Sequence, residues 1–360
     1  MKICVYAIMK NESWCIKRFI EGAKDADMIY ISDTGSTERE LACCYAIASR
    51  WPTKVFISRV TVCPWRFDTA RDAVLAQLPP DVDICVSLDL DEVLQPGWRA
   101  EIERVWKPTT TRLRYKFDWG CGIAFWYDKI HARKGYHWKN PVHEFPVPYG
   151  IVEEYAWTDE NKLIVQHRPN GKGRPDYLPM LKMSVEEDPH EPRNAFYYAR
   201  ELSFYEHWEE SIAECKRYLA LPRADWKGER SYAYRTMGRC YVALGKPLDA
   251  QREFQLAADE SPTSREPWCE LAKLMYQQKR WSDSLGFAQK ALAIKDREAV
   301  YTVDPAVWGH EPHTWASIAA WNLGRKTEAL HYAREALVQS PDETLCKSNL
   351  KVIEENFVAV

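Results

Sequence analysis

The apolar spacing of this chain changes period part-way along, and no single layer of structure accommodates both periods. Up to about residue 170, short apolar runs alternate with amphipathic segments; beyond about residue 193, apolar residues recur at helical spacing. The first half predicts strands over 3–9, 28–32, 54–58 and 82–88, with helices over 12–23, 37–50 and 68–78 between them. This β-α-β-α order predicts a mostly parallel, Rossmann-like α/β sheet with right-handed crossovers. No Gly-X-Gly-X-X-Gly follows the first strand, which disfavours a nicotinamide or flavin cofactor.

The second half repeats. With Ser231 as position 1 of a 34-residue unit, Gly238 falls at 8, Tyr241 at 11, Gly245 at 15, Ala250 at 20, Phe254 at 24, Ala257 at 27 and Pro262 at 32. That is the tetratricopeptide pattern, in which small residues let two helices cross closely. A second unit starts at Arg265 with Trp268, Leu271, Ala272 and Ala291 in register, and another carries Ala329, Ala336 and Pro341. A degenerate unit runs from Asn194 to Leu221, and an insertion rich in Pro, Trp and His lies near 300–313. The expected organisation is therefore an α/β domain over 1–180 and an all-α repeat domain over 190–360 with about four units. Four units exceed the minimum of about three that share a continuous core. The repeat aromatics are expected mainly as packing between helices, with the concave face free to bind a partner.

Between the two patterns lie the residues that carry chemistry. Asp83–Leu88 reads as a buried strand, and Asp89-Leu90-Asp91-Glu92 follows it directly. Side chains alternate along an extended segment, so Asp89 and Asp91 share one side at a C-terminal strand end, where open α/β sheets place ligands. Such a pair suits Mg²⁺ or Mn²⁺, whose shells are built from carboxylate, water and phosphate oxygens. The plainer reading of Asp-X-Asp is a solvated strand end or a helix cap.

Charge and cysteine content narrow the setting. The 360 residues carry 49 basic and 52 acidic side chains, so nothing general draws the chain to nucleic acid or anionic lipid. The 11 cysteines form no Cys-X-X-Cys pair, which favours reduced thiols and a cytoplasmic protein. The apolar N-terminal run stops at Lys10-Asn11-Glu12, too short for a transmembrane segment.

Four blocks in order give the chain a resemblance to the family 2 glycosyltransferases of GT-A fold that carry C-terminal tetratricopeptide repeats, the sublancin S-glycosyltransferase group in particular. They are Met9-Lys10-Asn11-Glu12; Ile31–Thr37, containing Asp33, Gly35 and Ser36; Phe67–Asp72 paired with Leu88–Glu92; and Trp138–Glu144, followed by Val165-Gln166-His167. The resemblance implies a metal-dependent, inverting transfer from a nucleotide-diphosphate sugar, with UDP as the expected nucleotide. It implies a nucleotide-sugar pocket of Asn11, Glu12, Asp33, Gly35, Arg71 and Asp89, and Mn²⁺ or Mg²⁺ on Asp89 and Asp91 with His167 completing the shell. Glu144 is then the catalytic base, with His143 orienting the acceptor or the diphosphate.

Each assignment has a plainer counterpart. Asp33 can cap the helix near Thr37, Arg71 can pair at the surface with Asp68 or Asp72, and His143 with Glu144 can close a hairpin edge. Peptide, protein, glycan and modified nucleic-acid base all remain open as acceptors, and the repeats can mediate self-association. The competing reading is an inactive nucleotide-binding scaffold whose repeats bind a peptide or protein.

Overall fold

A computed structural model describes residues 1–52, 54–170 and 176–357, which divide into two compact units, Met1–Ser184 and Val185–Val360. In the first unit the chain runs β1 (Ile3–Met9), α1 (Ser13–Gly22), β2 (Met28–Asp33), α2 (Glu38–Ala48), β3 (Val55–Arg59), α3 (Phe67–Gln77) and β4 (Ile84–Ser87). It continues as β5 (Glu92–Leu94), α4 (Trp98–Val105), β6 (Arg112–Gly120), β7 (Ile123–Ala132), β8 (Tyr136–Lys139), β9 (Phe145–Pro148), β10 (Tyr155–Trp157) and β11 (Ile164–His167). Helix α5 (Leu178–Glu187) follows.

The strands of β1 to β4 are parallel and lie in the order β3-β2-β1-β4. β1 is buried along its whole length because both faces of the sheet are covered. Its residues alternate accordingly: Ile3, Val5, Ala7 and Met9 join the core with Phe19 and Trp98, while Cys4, Tyr6 and Ile8 pack with Ala70, Val74 and Trp138.

Parallel pairing predominates, as expected, but beyond β4 the sheet is mixed. β7 runs antiparallel to both β4 and β6, β11 is parallel to β6, and β5 is antiparallel to β11. The reason is local. Cys121 and Gly122 both take positive φ, 50° and 77°. Two left-handed residues make the tight primed turn that joins neighbouring antiparallel strands, and so short a link leaves no room for a parallel crossover.

The second unit is helical: α6 (Pro192–Phe204), α7 (Trp208–Ala220), α8 (Lys227–Ala243), α9 (Pro247–Glu260), α10 (Glu266–Gln277) and α11 (Trp281–Ala293), then α12 (Pro305–Trp308), α13 (Glu311–Asn322), α14 (Lys326–Gln339) and α15 (Thr344–Phe357). Pairs α6–α7, α8–α9, α10–α11 and α13–α14 are tetratricopeptide-like units, and the insertion supplies α12. The first helix of each pair ends on a residue with positive φ: Glu206 (61°), Gly245 (69°), Lys279 (58°) and Gly324 (73°). A left-handed residue there stops the helix and turns the chain back.

Close crossing explains the small residues. A Cβ on Gly238 would lie 2.3 Å from the ring of Phe254, so only glycine lets α9 seat that buried phenyl against α8. Burying a side chain of that size contributes roughly 1.5–3 kcal/mol. One buried serine also ties each pair together: Ser211 to the Ala199 carbonyl (2.8 Å), Ser231 to Ala257 (2.8 Å), Ser284 to Ala272 (2.8 Å) and Ser317 to Ala329 (3.0 Å). No helix among the described residues is long and apolar enough to cross a membrane.

Candidate functional site

Strand register brings the candidate residues to one crest of the sheet. Met9, Asp33 and Arg59 end β1, β2 and β3 in adjacent positions, and β4 ends at Ser87, just before Leu88 to Asp91. The antiparallel pairing of β11 with β5 sets His167 opposite Glu92, and β7 brings Lys129 beside the same acidic segment.

His167 Nε2 stands 3.3 Å from Asp91 Oδ2, and the Trp119 ring stacks on the imidazole with centroids 4.4 Å apart. Burial alone would lower the His167 pKa, but the hydrogen bond and charge of Asp91 outweigh it and hold the imidazole above its ordinary value. Asp89 behaves differently. One of its oxygens is paired with Arg71, and the other lies 3.3 Å from the Lys129 ammonium. Although burial works the other way, Lys129 and Arg71 keep Asp89 below the usual carboxylate range. The expected three-ligand arrangement is thereby corrected. Asp91 and His167 converge while Asp89 is committed to two cations, and among the described residues no group of three His, Cys, Asp or Glu side chains is arranged to hold a metal.

Arg71 is 1% exposed, not a surface residue, and Asp68 pairs with Arg66 instead. Its guanidinium spans the site: Nε donates to Glu144 Oε1 at 2.5 Å, Nη1 to Ser87 Oγ at 3.2 Å, and another arm meets Asp89. The Trp138 ring lies 4.9 Å away as a flat lid. Burial opposes charge on Arg71, yet Asp89 and Glu144 raise its pKa well above normal. Glu144, expected as a base, is 9% exposed and held by this arginine. The adjacent His143 takes a left-handed conformation (φ 52°), and its ring lies 5.7 Å from that of Tyr177.

The first two loops of the crest are braced against each other. Asn11, itself left-handed at φ 56°, accepts from the Thr37 amide through Oδ1 at 2.9 Å, and its own amide donates to Ser36 Oγ at 2.7 Å. Glu12 accepts from the Lys10 amide at 3.3 Å. Asp33, 1% exposed, accepts from the Ser36 amide at 3.0 Å and lies 3.7 Å from Arg59. The cap of α2 is Thr37, not Asp33, since Thr37 Oγ1 accepts from Glu40. Gly35, at φ 115°, permits the turn between them.

Two residues to which no role was assigned from sequence belong to this centre. Glu92 is 3% exposed; its carboxylate accepts from the Asp89 amide at 3.0 Å and lies 3.7 Å from Lys129. Burial, only partly offset by Lys129, and the nearby Asp89 charge leave its pKa pushed up to about 7. Lys129 is 5% exposed, and the carboxylates keep it charged against the cost of burial. The only signal for Lys129 was a lysine in a strand otherwise rich in aromatics.

No family model matches the chain, and no curated protein matches it. Among solved structures, YrrB, a TPR protein with an unusual peptide-binding site, is 18% identical over 49% of this chain and 83% of its own, with a TM-score of 0.38. MamA is 15% identical over 46% of this chain and 81% of its own, with a TM-score of 0.36. The pilF protein of Pseudomonas aeruginosa is 12% identical over 49% and 72%, with a TM-score of 0.38. The resemblance to family 2 glycosyltransferases of the sublancin group is corrected accordingly: no family model carries it, and the first half of the chain is established as a mixed α/β sheet unit. The blocks behind the resemblance are short strand-end segments, apart from Phe67–Asp72, which opens α3, and many ligand-bearing sheets can carry them.

Proposed function

We propose that the helical unit docks a peptide or protein partner and that the sheet unit is a nucleotide-binding scaffold; metal-dependent transfer of a glycosyl group from a nucleotide-diphosphate sugar is the second reading. The reading rests on side-chain geometry. The observation that carries it is the convergence of Asp91, His167 and the Arg71 clamp at the crest where parallel strands end, the position at which such sheets take nucleotides. The order β3-β2-β1-β4 supports a Rossmann-like nucleotide half.

A divalent cation fits this donor set. A carboxylate oxygen and an imidazole nitrogen 3.3 Å apart supply two protein ligands, leaving the rest of the shell to water and phosphate oxygens, as Mg²⁺ and Mn²⁺ prefer. When bound, the ion would offset the charge that develops on a departing diphosphate. Asp33, at the end of β2, is placed to meet the nucleoside, and Arg71 fixes Asp89 and Glu144 relative to each other. The acceptor is activated in the second reading by Glu144 through the oxygen that Arg71 does not hold.

One observation favours the scaffold over transfer: Arg71 holds one oxygen of Glu144, the carboxylate that transfer would need at the acceptor. In both readings the repeats bind a partner. A cavity of about 230 Å³ in the helical unit, lined by Arg239, Glu270, Lys273, Gln277, Asp304 and Glu311, offers charges of both signs for that purpose.

The deciding experiment is release of UDP or GDP from a panel of nucleotide sugars, with Mn²⁺ and with EDTA. Turnover that needs Mn²⁺ and disappears in Asp91→Asn supports transfer. Nucleotide binding without turnover supports the scaffold.

A further inference from the structure

A second polar cavity, of about 660 Å³, lies wholly within the helical unit among α11, α12, α13 and α14 and the residue preceding α10. Arg265, Lys295 and His313 line it, with Glu335 as the acidic member of the lining. Arg265 is 9% exposed, and no carboxylate pairs with it among the described residues. Instead, its Nε and Nη2 both donate to the Ile294 carbonyl, at 2.8 and 2.6 Å, and its guanidinium lies 4.5 Å from the Trp308 ring. His313 Nδ1 is buried without a hydrogen-bond partner among the described residues.

A buried guanidinium without a counter-ion beside an unpaired imidazole nitrogen leaves local positive potential unmatched. The titration of the groups agrees. Burial lowers the Arg265 pKa, and His313 is lowered by burial together with the charges of Arg265, His331 and Lys295, against which Glu335 acts alone.

We propose that this cavity binds the phosphate group of a phosphate monoester. The donor arrangement chooses phosphate over carboxylate. The Nε–Nη2 edge of Arg265, which would grip a planar carboxylate with two parallel bonds, is spent on Ile294. What remains is the Nη1–Nη2 end of Arg265 before α10, together with separate donors on other elements, Lys295 after α11 and His313 on α13. Donors spread in this way suit a tetrahedral oxyanion, and the volume leaves room for the organic part of the ester. With Glu335 ionised, Arg265 and Lys295 leave a net charge of +1, and protonation of His313 raises it by one, so binding draws a proton onto the imidazole.

The test titrates the full chain with inorganic phosphate at constant ionic strength set with chloride, with acetate as the carboxylate arm. Saturable phosphate binding is expected, with the His313 ring taking up a proton in the complex that it lacks in the free protein, read by NMR of the imidazole. Arg265→Gln and His313→Gln should each weaken binding by about tenfold, and Glu335→Gln should tighten it. Arg265 also holds the Ile294 carbonyl, so Lys295→Gln, at an exposed position, provides a variant that leaves folding untouched; it too should weaken binding. Equal responses to phosphate and chloride, a preference for acetate, or unchanged phosphate affinity in Lys295→Gln and His313→Gln would overturn the proposal.

Discussion

His167 and Asp91, 76 positions apart in sequence, meet at 3.3 Å because β11 pairs antiparallel with β5, only one residue beyond the aspartate. A protonated His167 is stabilised by this contact, so its contribution to stability is complete below the ordinary histidine pKa and is lost as pH rises through the elevated folded value. A proton and a cation compete for the same imidazole. Mn²⁺ affinity should therefore rise with pH across the His167 titration, and Asp91→Asn should lower it by at least about tenfold. Calorimetric titration at several pH values, with NMR of the His167 ring in metal-free protein, checks both. A His167 pKa unmoved in Asp91→Asn would refute the coupling.

Arg71 joins α3 to the end of β4 and to Glu144 through one planar group. Arg71→Met should destabilise the protein by about 3 kcal/mol, since it leaves the buried Glu144 without its cation and Asp89 with Lys129 alone. Arg71→Lys should recover part of this, because an ammonium cannot reach three partners in fixed directions. Urea denaturation of both variants measures the difference, and equal stability of Met and Lys variants would count against the clamp.

Glu92 introduces a pH slope of the same sign as that of His167, but beginning at lower pH. Its folded pKa, about 7, lies above the usual 4.5, so the folded state holds more protons than the unfolded chain between those values. Stability from this group is thus full below pH 4.5 and declines as pH rises toward 7. Glu92→Gln, which resembles the protonated form, should flatten that decline and gain about 1 kcal/mol at pH 8. Denaturation curves at pH 4.5 and 8 should show no gain at the lower value; an equal gain at both would point elsewhere.

In the repeats, Gly238→Ala should cost about 1–3 kcal/mol, because the new methyl group has to displace the buried Phe254 ring. Lys279→Gly should do the opposite and stabilise by about 1 kcal/mol, since it relieves a non-glycine residue at φ 58°. Thermal melts of the two variants should move in opposite directions.

The sequence by itself determined that the second half is built of helix pairs, because each tetratricopeptide-like pair is a local structure. Its period, its small crossing residues and its turn at Gly245 are written within one stretch of chain. The same holds for the parallel strands, where β1 coincides with the expected Ile3–Met9. It also placed Asp91 at a strand end. Left-handed Glu206 and Lys279, which do the work of Gly245 and Gly324, were invisible to a search for glycine.

Only tertiary structure decided which side chains share the crest. The β6–β7 hairpin turns the second half of the sheet mixed, and its return strand delivers Lys129 to Asp89. That contact, with Arg71, removes Asp89 from the ligand set expected beside Asp91, and no spacing within Asp89-Leu90-Asp91 announces it. The reason is physical: strand register and crossover order bring together residues far apart in the chain, and a charged group's role follows from the charges it meets after burial rather than from its neighbours in sequence.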